Sequence, residues 1–284
     1  MADVILSAVA LAIVASTPLL LAVLGELVVQ RSGIINLGVE GMLLSAALSG
    51  AAVAQVTGSV TAGLLAGIGG ALVIALIFGV FAIGFRSDQI VAGTAVNLLA
   101  LGATAFVYRE LLRRPWMNDG VPKVAIDWVT PVAWTAVPLA LAILLWRTRA
   151  GLRLRACGEN PEAAAAAGVS VSGYRWAALL VESVLTGVGG AQLAISLSSG
   201  FAENMSAGRG FIALAIVILG RWGVRGALAG TALFSVAAAL QYAVQAAGTT
   251  LPFHLMLAVP YVVTLLILAG IAGRVRAPEA LGRR

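Results

Sequence analysis

Nine apolar runs organise the chain: Val4–Val29, Leu37–Val56, Ala62–Phe85, Ile90–Leu112, Val129–Trp146, Tyr174–Leu197, a short one at Phe211–Leu219, Ala227–Ala247 and Leu255–Gly273. Apart from the short one, each is about 20 residues long, enough for a helix to cross the ~30 Å hydrocarbon core. The runs are continuous rather than alternating, and they are rich in Ala and Leu, which form helices, so a membrane β-barrel does not fit. The pattern predicts an all-α integral membrane protein, a polytopic bundle of about nine spans. Phe211–Leu219 is too brief to span alone. It reads as a broken or tilted helix buried among the others, where irregular backbone is tolerated.

Composition supports this reading. Of the 284 residues 61% are hydrophobic and 11% charged, with mean hydropathy +1.02. A soluble domain carries about 25% charged residues, so the polar surface that a soluble fold of this size needs cannot be built. Disorder requires the opposite composition, and one cysteine, Cys157, excludes a disulfide scaffold. The longest polar stretch, 147–175, is far shorter than a typical domain of ~50–250 residues, so residues 1–284 read as one transmembrane domain with a polar loop at 147–175. The 33 glycines include Gly63/Gly67, Gly69/Gly70, Gly187/Gly189/Gly190 and Gly226/Gly230 inside spans, spacings that let helices approach closely.

Net charge +6 would suggest nucleic acid in a soluble protein. Here the basic residues sit in short loops between apolar runs, as the positive-inside rule describes, and no nucleic-acid partner is expected. Arg147, Arg149, Arg153, Arg155 and Arg175 surround one loop, and Arg274, Arg276, Arg283 and Arg284 lie at the end. Both segments are expected to be cytoplasmic, with Arg31, Arg86, Arg221 and Arg225 on the same side and the N-terminus outside. The segment Arg113–Thr130 departs from the rule: it carries Arg113, Arg114 and Lys123 yet falls outside by the span count. Asp119 and Asp127 offset part of that charge, and Trp116, Trp128 and Trp134 form an interfacial belt. The first run is too long for a signal-peptide core and lacks a basic leader, so no cleaved signal is expected.

Little here points to catalysis. No Gly-x-x-x-x-Gly-Lys-Ser/Thr phosphate loop exists, and Lys123 is the single lysine. The sole histidine, His254, reads as an interfacial residue rather than a proton relay. With one cysteine it makes no zinc site, and no catalytic triad can be assembled. Ionisable and polar groups inside spans are more informative, because their burial is costly. These are Glu26, Asn36, Glu40, Asn97, Glu182 and Gln192. Asn36, Glu40, Asn97, Glu182 and Gln192 are candidates for a substrate path or a motif. Glu26, Glu40 and Glu182 look too scattered for an ion-coupling cluster. Glu40 admits a second, structural reading, as an acceptor for unpaired amides at a helix start.

The segment Gly158-Glu159-Asn160-Pro161-Glu162-Ala163-Ala164-Ala165-Ala166-Ala167-Gly168 encodes a short helix. Asn160 suits the N-cap, Pro161 the first position, Glu162 the positive helix end and Gly168 the stop. Its small side chains fit docking into a groove of another protein, or simply a connector.

Glu162-Ala163-Ala164-x-x-x-Gly168 resembles the Glu-Ala-Ala…Gly loop through which ABC-importer permeases engage their ATPases. The run Gly33-Ile34-Ile35-Asn36-Leu37-Gly38-Val39-Glu40-Gly41-Met42 resembles a signature near the start of the branched-chain amino acid/ribose permease family. Ser206-Ala207-Gly208-Arg209-Gly210-Phe211 through Gly220-Arg221-Trp222 is similar to the nucleoside and simple-sugar branch of that family. The Ile-x-Leu-Pro ending of maltose-type loops is missing after Gly168, which favours a vitamin B12-permease-like architecture. The resemblance implies a permease subunit of a bacterial inner-membrane importer, with nucleosides as substrates. It also implies a second permease, a cytoplasmic ATPase that holds ATP and Mg (this chain itself holding no cofactor or metal), and an extracytoplasmic substrate-binding lipoprotein. Gly158, Glu159, Asn160, Glu162, Ala163, Ala164 and Gly168 would then form the ATPase-coupling loop.

Two rival readings stand beside this one. Within the family, the substrate could be a simple sugar or a branched-chain amino acid. Outside it, an autonomous secondary transporter or channel would need paired intramembrane acids or an inverted repeat.

Overall fold

The computed structural model describes residues 2–112, 128–198, 200–246, 262 and 277–283. Every described element is helical. The long helices are α1 (Ala2–Arg31), α2 (Val39–Thr57), α3 (Val60–Gly84), α4 (Gln89–Glu110), α5 (Val129–Arg147) and α8 (Val171–Leu197), all long and apolar enough to cross a membrane. Between α5 and α8 lie two short helices, α6 (Arg149–Glu159) and α7 (Pro161–Ala166). Two further apolar helices follow, α9 (Arg209–Leu219) and α10 (Val224–Ala246). Eight of the nine apolar runs thus coincide with helices to within a few residues. The ninth, Leu255–Gly273, lies outside the described residues except for Val262, and His254, Lys123, Asp119 and Asp127 lie outside them too.

α1 is apolar around its whole circumference, which is the mark of a helix surrounded by protein. From Leu19 to Val29 its side chains are at most 2% exposed. Helices α8, α9 and α10 pack around it. Pro18 deprives one carbonyl in this helix of its amide partner. The neighbouring Ser16 and Thr17 hydroxyls turn back onto the helix and donate to the carbonyls of Ala12 (2.8 Å) and Ile13 (2.9 Å), which satisfies them where no water is at hand. Outside this core, α3, α4 and α5 present Leu65, Phe85, Val91, Leu98, Phe106 and Leu139 outward.

α2, α3 and α8 meet along small residues. A Cβ at Gly67 would lie 2.7 Å from that of Ala191 and 2.9 Å from the Gly187 carbonyl, so the close approach of α3 to α8 depends on glycine. The glycines read as packing devices mostly serve that purpose. Gly69 is an exception, with open space beside it.

One end of the bundle gathers the arginines. Arg31 lies 4.0 Å from Glu159, its Nε donates to the Trp222 carbonyl (2.7 Å), and Arg175 lies beside Gly33. The segment 277–283 packs at the same end: the Ala280 amide donates to the Gly158 carbonyl (2.9 Å) and the Gly282 amide to that of Gly33 (3.1 Å). The loop 147–175 and this segment, expected on one side, therefore touch. At the opposite end, Arg109 makes a two-pronged contact with Glu203 (2.8 and 2.6 Å), beside an edge-on pair of Tyr108 and Phe201.

Candidate functional site

Two irregular segments enter the bundle, 32–38 between α1 and α2 and 200–208 ahead of α9. Backbone at this depth must find partners other than water. Side chains supply them. In the first segment the Ile35 amide donates to Gln89 Oε1 (2.8 Å), the Asn36 amide to Glu26 Oε1 (3.3 Å) and the Gly38 amide to Asn36 Oδ1 (2.9 Å). Asn97, on α4, acts as a surrogate peptide. Its Nδ2 donates to the Leu37 carbonyl (2.5 Å) and its Oδ1 accepts from the Gly41 amide (2.8 Å).

The second segment is held by Glu40. This carboxylate, in the first turn of α2, accepts from Ser206 Oγ (2.6 Å) and the Gly208 amide (2.8 Å) through Oε1, and from the Gly210 amide (2.6 Å) through Oε2. Gly208 and Gly210 sit at the start of α9, so Glu40 caps a helix more than 160 positions downstream. A negative group at that terminus also complements the helix dipole. Gly208 is left-handed (φ 80°), and at Gly210 a Cβ would meet the Glu40 backbone amide, so both glycines are required for the contact.

Behind these loops lies a polar cluster at the crossing of α1 and α8. Gly25 allows the approach: a Cβ there would lie 3.0 Å from the Glu182 Cα. Glu26 and Glu182 are both fully buried, and their carboxyl groups face one another. Asn36 Nδ2 donates to Glu182 Oε2 (2.6 Å), and Gln30 Nε2 donates to Glu26 Oε1 (2.8 Å). Gln30 Oε1 accepts from the Trp222 indole (2.6 Å), which ties the turn after α9 to α1. Arg221 and Trp222 both adopt positive φ (53°), a strained geometry for large side chains that this hydrogen bond and the burial of Trp222 hold in place.

The three acids, expected to be scattered, are thus partly gathered. Glu26 and Glu182 abut, whereas Glu40 serves a separate helix start. Asn36, Glu40 and Asn97 spend their polar atoms on loop backbone and on neighbouring side chains, and Glu182 accepts from Asn36 through Oε2. Gln192 stands apart, donating to Thr130 Oγ1 (3.3 Å). Gln30, Gln89, Ser206 and Trp222 belong to the network but were not singled out from the sequence, although Ser206 and Trp222 bound the second family-like run.

At the arginine-rich end, α6 turns Gly151, Leu154, Cys157 and Gly158 inward and leaves Leu152 60% exposed. Burial pushes the Cys157 thiol above its ordinary range. Asn160 Oδ1 accepts from the Ala163 amide (2.9 Å), Pro161 occupies the first turn of α7, and Gly168 closes it at φ 79°. The Val169 amide returns to the Ala164 carbonyl (3.0 Å), completing the C-terminal cap. Two residues of the expected coupling surface face the other way. Gly158 is buried against the Arg31 carbonyl and Gly33, and Ala164 is 5% exposed, because a helix standing on the bundle must turn one side inward. Glu159, Asn160, Glu162, Ala163, Ala165, Ala166 and Gly168 remain exposed.

Residues 8–269 match the family model described as branched-chain amino acid transport system / permease component. The guanosine ABC transporter permease protein NupQ of Bacillus subtilis is 32% identical over 302 positions, covering 95% of this chain and 93% of its own length. The nucleoside ABC transporter permease protein NupC of Lactococcus lactis is 34% identical over 294 positions, covering 94% and 92%. A putative glucose ABC transporter permease protein, TsgC13 of Haloferax volcanii, is 35% identical over 248 positions, covering 80% and 74%. No solved structure matches the chain.

Proposed function

This chain belongs to the branched-chain amino acid transport system / permease component family, and on that premise we propose that it is the permease subunit of an ATP-driven nucleoside importer. It is a membrane protein and a non-catalytic subunit. The observation that carries the substrate is the match to guanosine and nucleoside permeases along more than nine-tenths of their length. The likeness to a putative glucose permease favours a simple sugar as the second reading.

In this reading the arginine-rich end is cytoplasmic. An ATPase there holds ATP and Mg, and an extracytoplasmic binding lipoprotein delivers substrate at the opposite end. The core around α1 is packed without exposure between Leu19 and Val29. That favours a path along a face of the bundle, closed by a second permease, over one through its centre. ATP-driven ATPase closure would shift the inward/outward equilibrium by pressing on α6 and α7. Deleting the gene in its host is expected to abolish uptake of purine or pyrimidine nucleosides at trace concentration while ribose and leucine uptake persist. Normal nucleoside uptake with lost sugar uptake would favour the second reading.

The ATPase contact has its own test on the exposed side of α7. Ala165→Trp should leave the amount of permease near normal while copurification of the ATPase and uptake fall together. Gly168→Val should act similarly, since a β-branched residue at this left-handed position costs about 1 kcal/mol or more. Ala164→Trp is expected to lower the amount of permease instead, because that side chain points into the chain. Unchanged copurification and uptake in Ala165→Trp would make α7 a connector.

A further inference from the structure

A cleft of about 400 Å³ opens at the arginine-rich end, between the last turns of α5 and the first turn of α10. Its walls include Ala142, Ile143, Trp146 and Val224, with Arg147 and Arg225 beside them and no acidic residue in the lining. Neither arginine makes a hydrogen bond or ion pair among the described residues, and both are exposed. The surroundings add to the positive potential. The guanidinium groups of Arg31 and Arg155 lie 5.7 and 6.0 Å from the Trp146 ring centroid, and Arg155 Nε is buried without a partner.

We propose that this cleft binds the headgroup phosphate of an anionic phospholipid. Arg147 and Arg225 are placed to grip the phosphate from two sides, as guanidinium groups do with planar pairs of N–H donors. The apolar side of the site selects a lipid over a free anion. Leu139 and Ile143, 62% and 49% exposed, lie one helical turn apart on α5 and continue from the cleft toward the membrane interior, where an acyl chain would lie. Trp146, 40% exposed, stands at the level where indoles favour the headgroup boundary. Basic pockets between helices at such a boundary are suited to acidic lipid headgroups.

The test uses the intact importer in nanodiscs of equal phosphatidylglycerol and phosphatidylcholine, with retained lipid read by native mass spectrometry. Wild type is expected to keep phosphatidylglycerol in preference to phosphatidylcholine by about tenfold or more, roughly the effect of two basic side chains at a membrane surface. The double variant Arg147→Gln/Arg225→Gln should lose that preference, with folding preserved because both side chains are exposed. Arg149→Gln/Arg153→Gln, on exposed positions of α6, should retain it. Excess inorganic phosphate should not displace the lipid. Undiminished phosphatidylglycerol retention in the Arg147/Arg225 variant would overturn the proposal, as would full displacement by phosphate. Loss of the ATPase with lipid retention unchanged would assign this face to a protein contact and likewise overturn it.

Discussion

Glu40→Ala is expected to remove most of the folded protein from the membrane. The substitution deletes both oxygens that receive Ser206 Oγ and the amides of Gly208 and Gly210. Hydrogen bonds to a charged acceptor contribute about 1.5–3 kcal/mol each, and donors stranded without water cost a comparable amount. Three together approach 5 kcal/mol or more, on the scale of the ~5–15 kcal/mol that holds a whole domain folded. A side chain at 210 cannot supply a replacement acceptor, because Gly210 abuts the backbone of Glu40 itself. Glu40→Gln should be intermediate. Its carbonyl oxygen can take the Ser206 hydroxyl and one amide, but its NH₂ then faces the other amide donor. Detergent-solubilised melting of the three proteins should rank wild type above Gln above Ala. Equal melting of wild type and Glu40→Ala would show that α9 does not depend on this cap.

The second large effect is expected at the α1–α8 crossing, where the chemistry of the replacement matters more than its size. Glu182→Leu leaves Asn36 Nδ2 without its carboxylate acceptor and removes the carboxyl that faces Glu26, whose remaining polar contacts are Gln30 and the Asn36 amide. Losing a buried hydrogen bond to a carboxylate and leaving its donor unpaired costs about 1.5–3 kcal/mol. Glu182→Gln behaves differently. Its carbonyl can still accept from Asn36, while its NH₂ can donate to the facing Glu26 carboxyl. The Gln variant should therefore melt no lower than wild type, and the Leu variant well below it, with uptake following the amount of folded protein. If both variants melt like wild type, the cluster does not anchor the 32–38 segment.

Spans were legible because each needs only a long apolar run, and nothing local competes with that signal. The run Leu37–Val56 became Val39–Thr57, and Ala62–Phe85 became Val60–Gly84. The ends of α7 were equally legible, since Asn160, Pro161 and Gly168 each carry their role in their own backbone chemistry. Which side of α7 faces outward was not. Five consecutive alanines carry no polar–apolar contrast, so Ala164 could not be told from Ala165. Glu40 was readable as an acceptor for helix-start amides, but not which helix, because its partners lie beyond position 200. The contact of Glu26 with Glu182 depends on two helices crossing at Gly25. No spacing along the chain records that. The side chains that hold the re-entrant segments are ordinary amides and a tryptophan, and in one sequence Gln30, Gln89 and Trp222 look like incidental polar or aromatic residues. Only their burial against irregular backbone gives them a role.

We propose that this chain is a path-forming subunit driven by a separate ATPase. The most direct measurement is guanosine uptake into proteoliposomes containing either the purified chain alone or the assembled importer with its second permease, ATPase and binding protein. The assembled importer should accumulate radiolabelled guanosine only when ATP is supplied on the ATPase side. The chain alone should neither hydrolyse ATP nor accumulate guanosine under proton or sodium gradients. Robust gradient-driven accumulation by the chain alone, without ATP, would rule out ATP-driven transport and identify an autonomous secondary transporter.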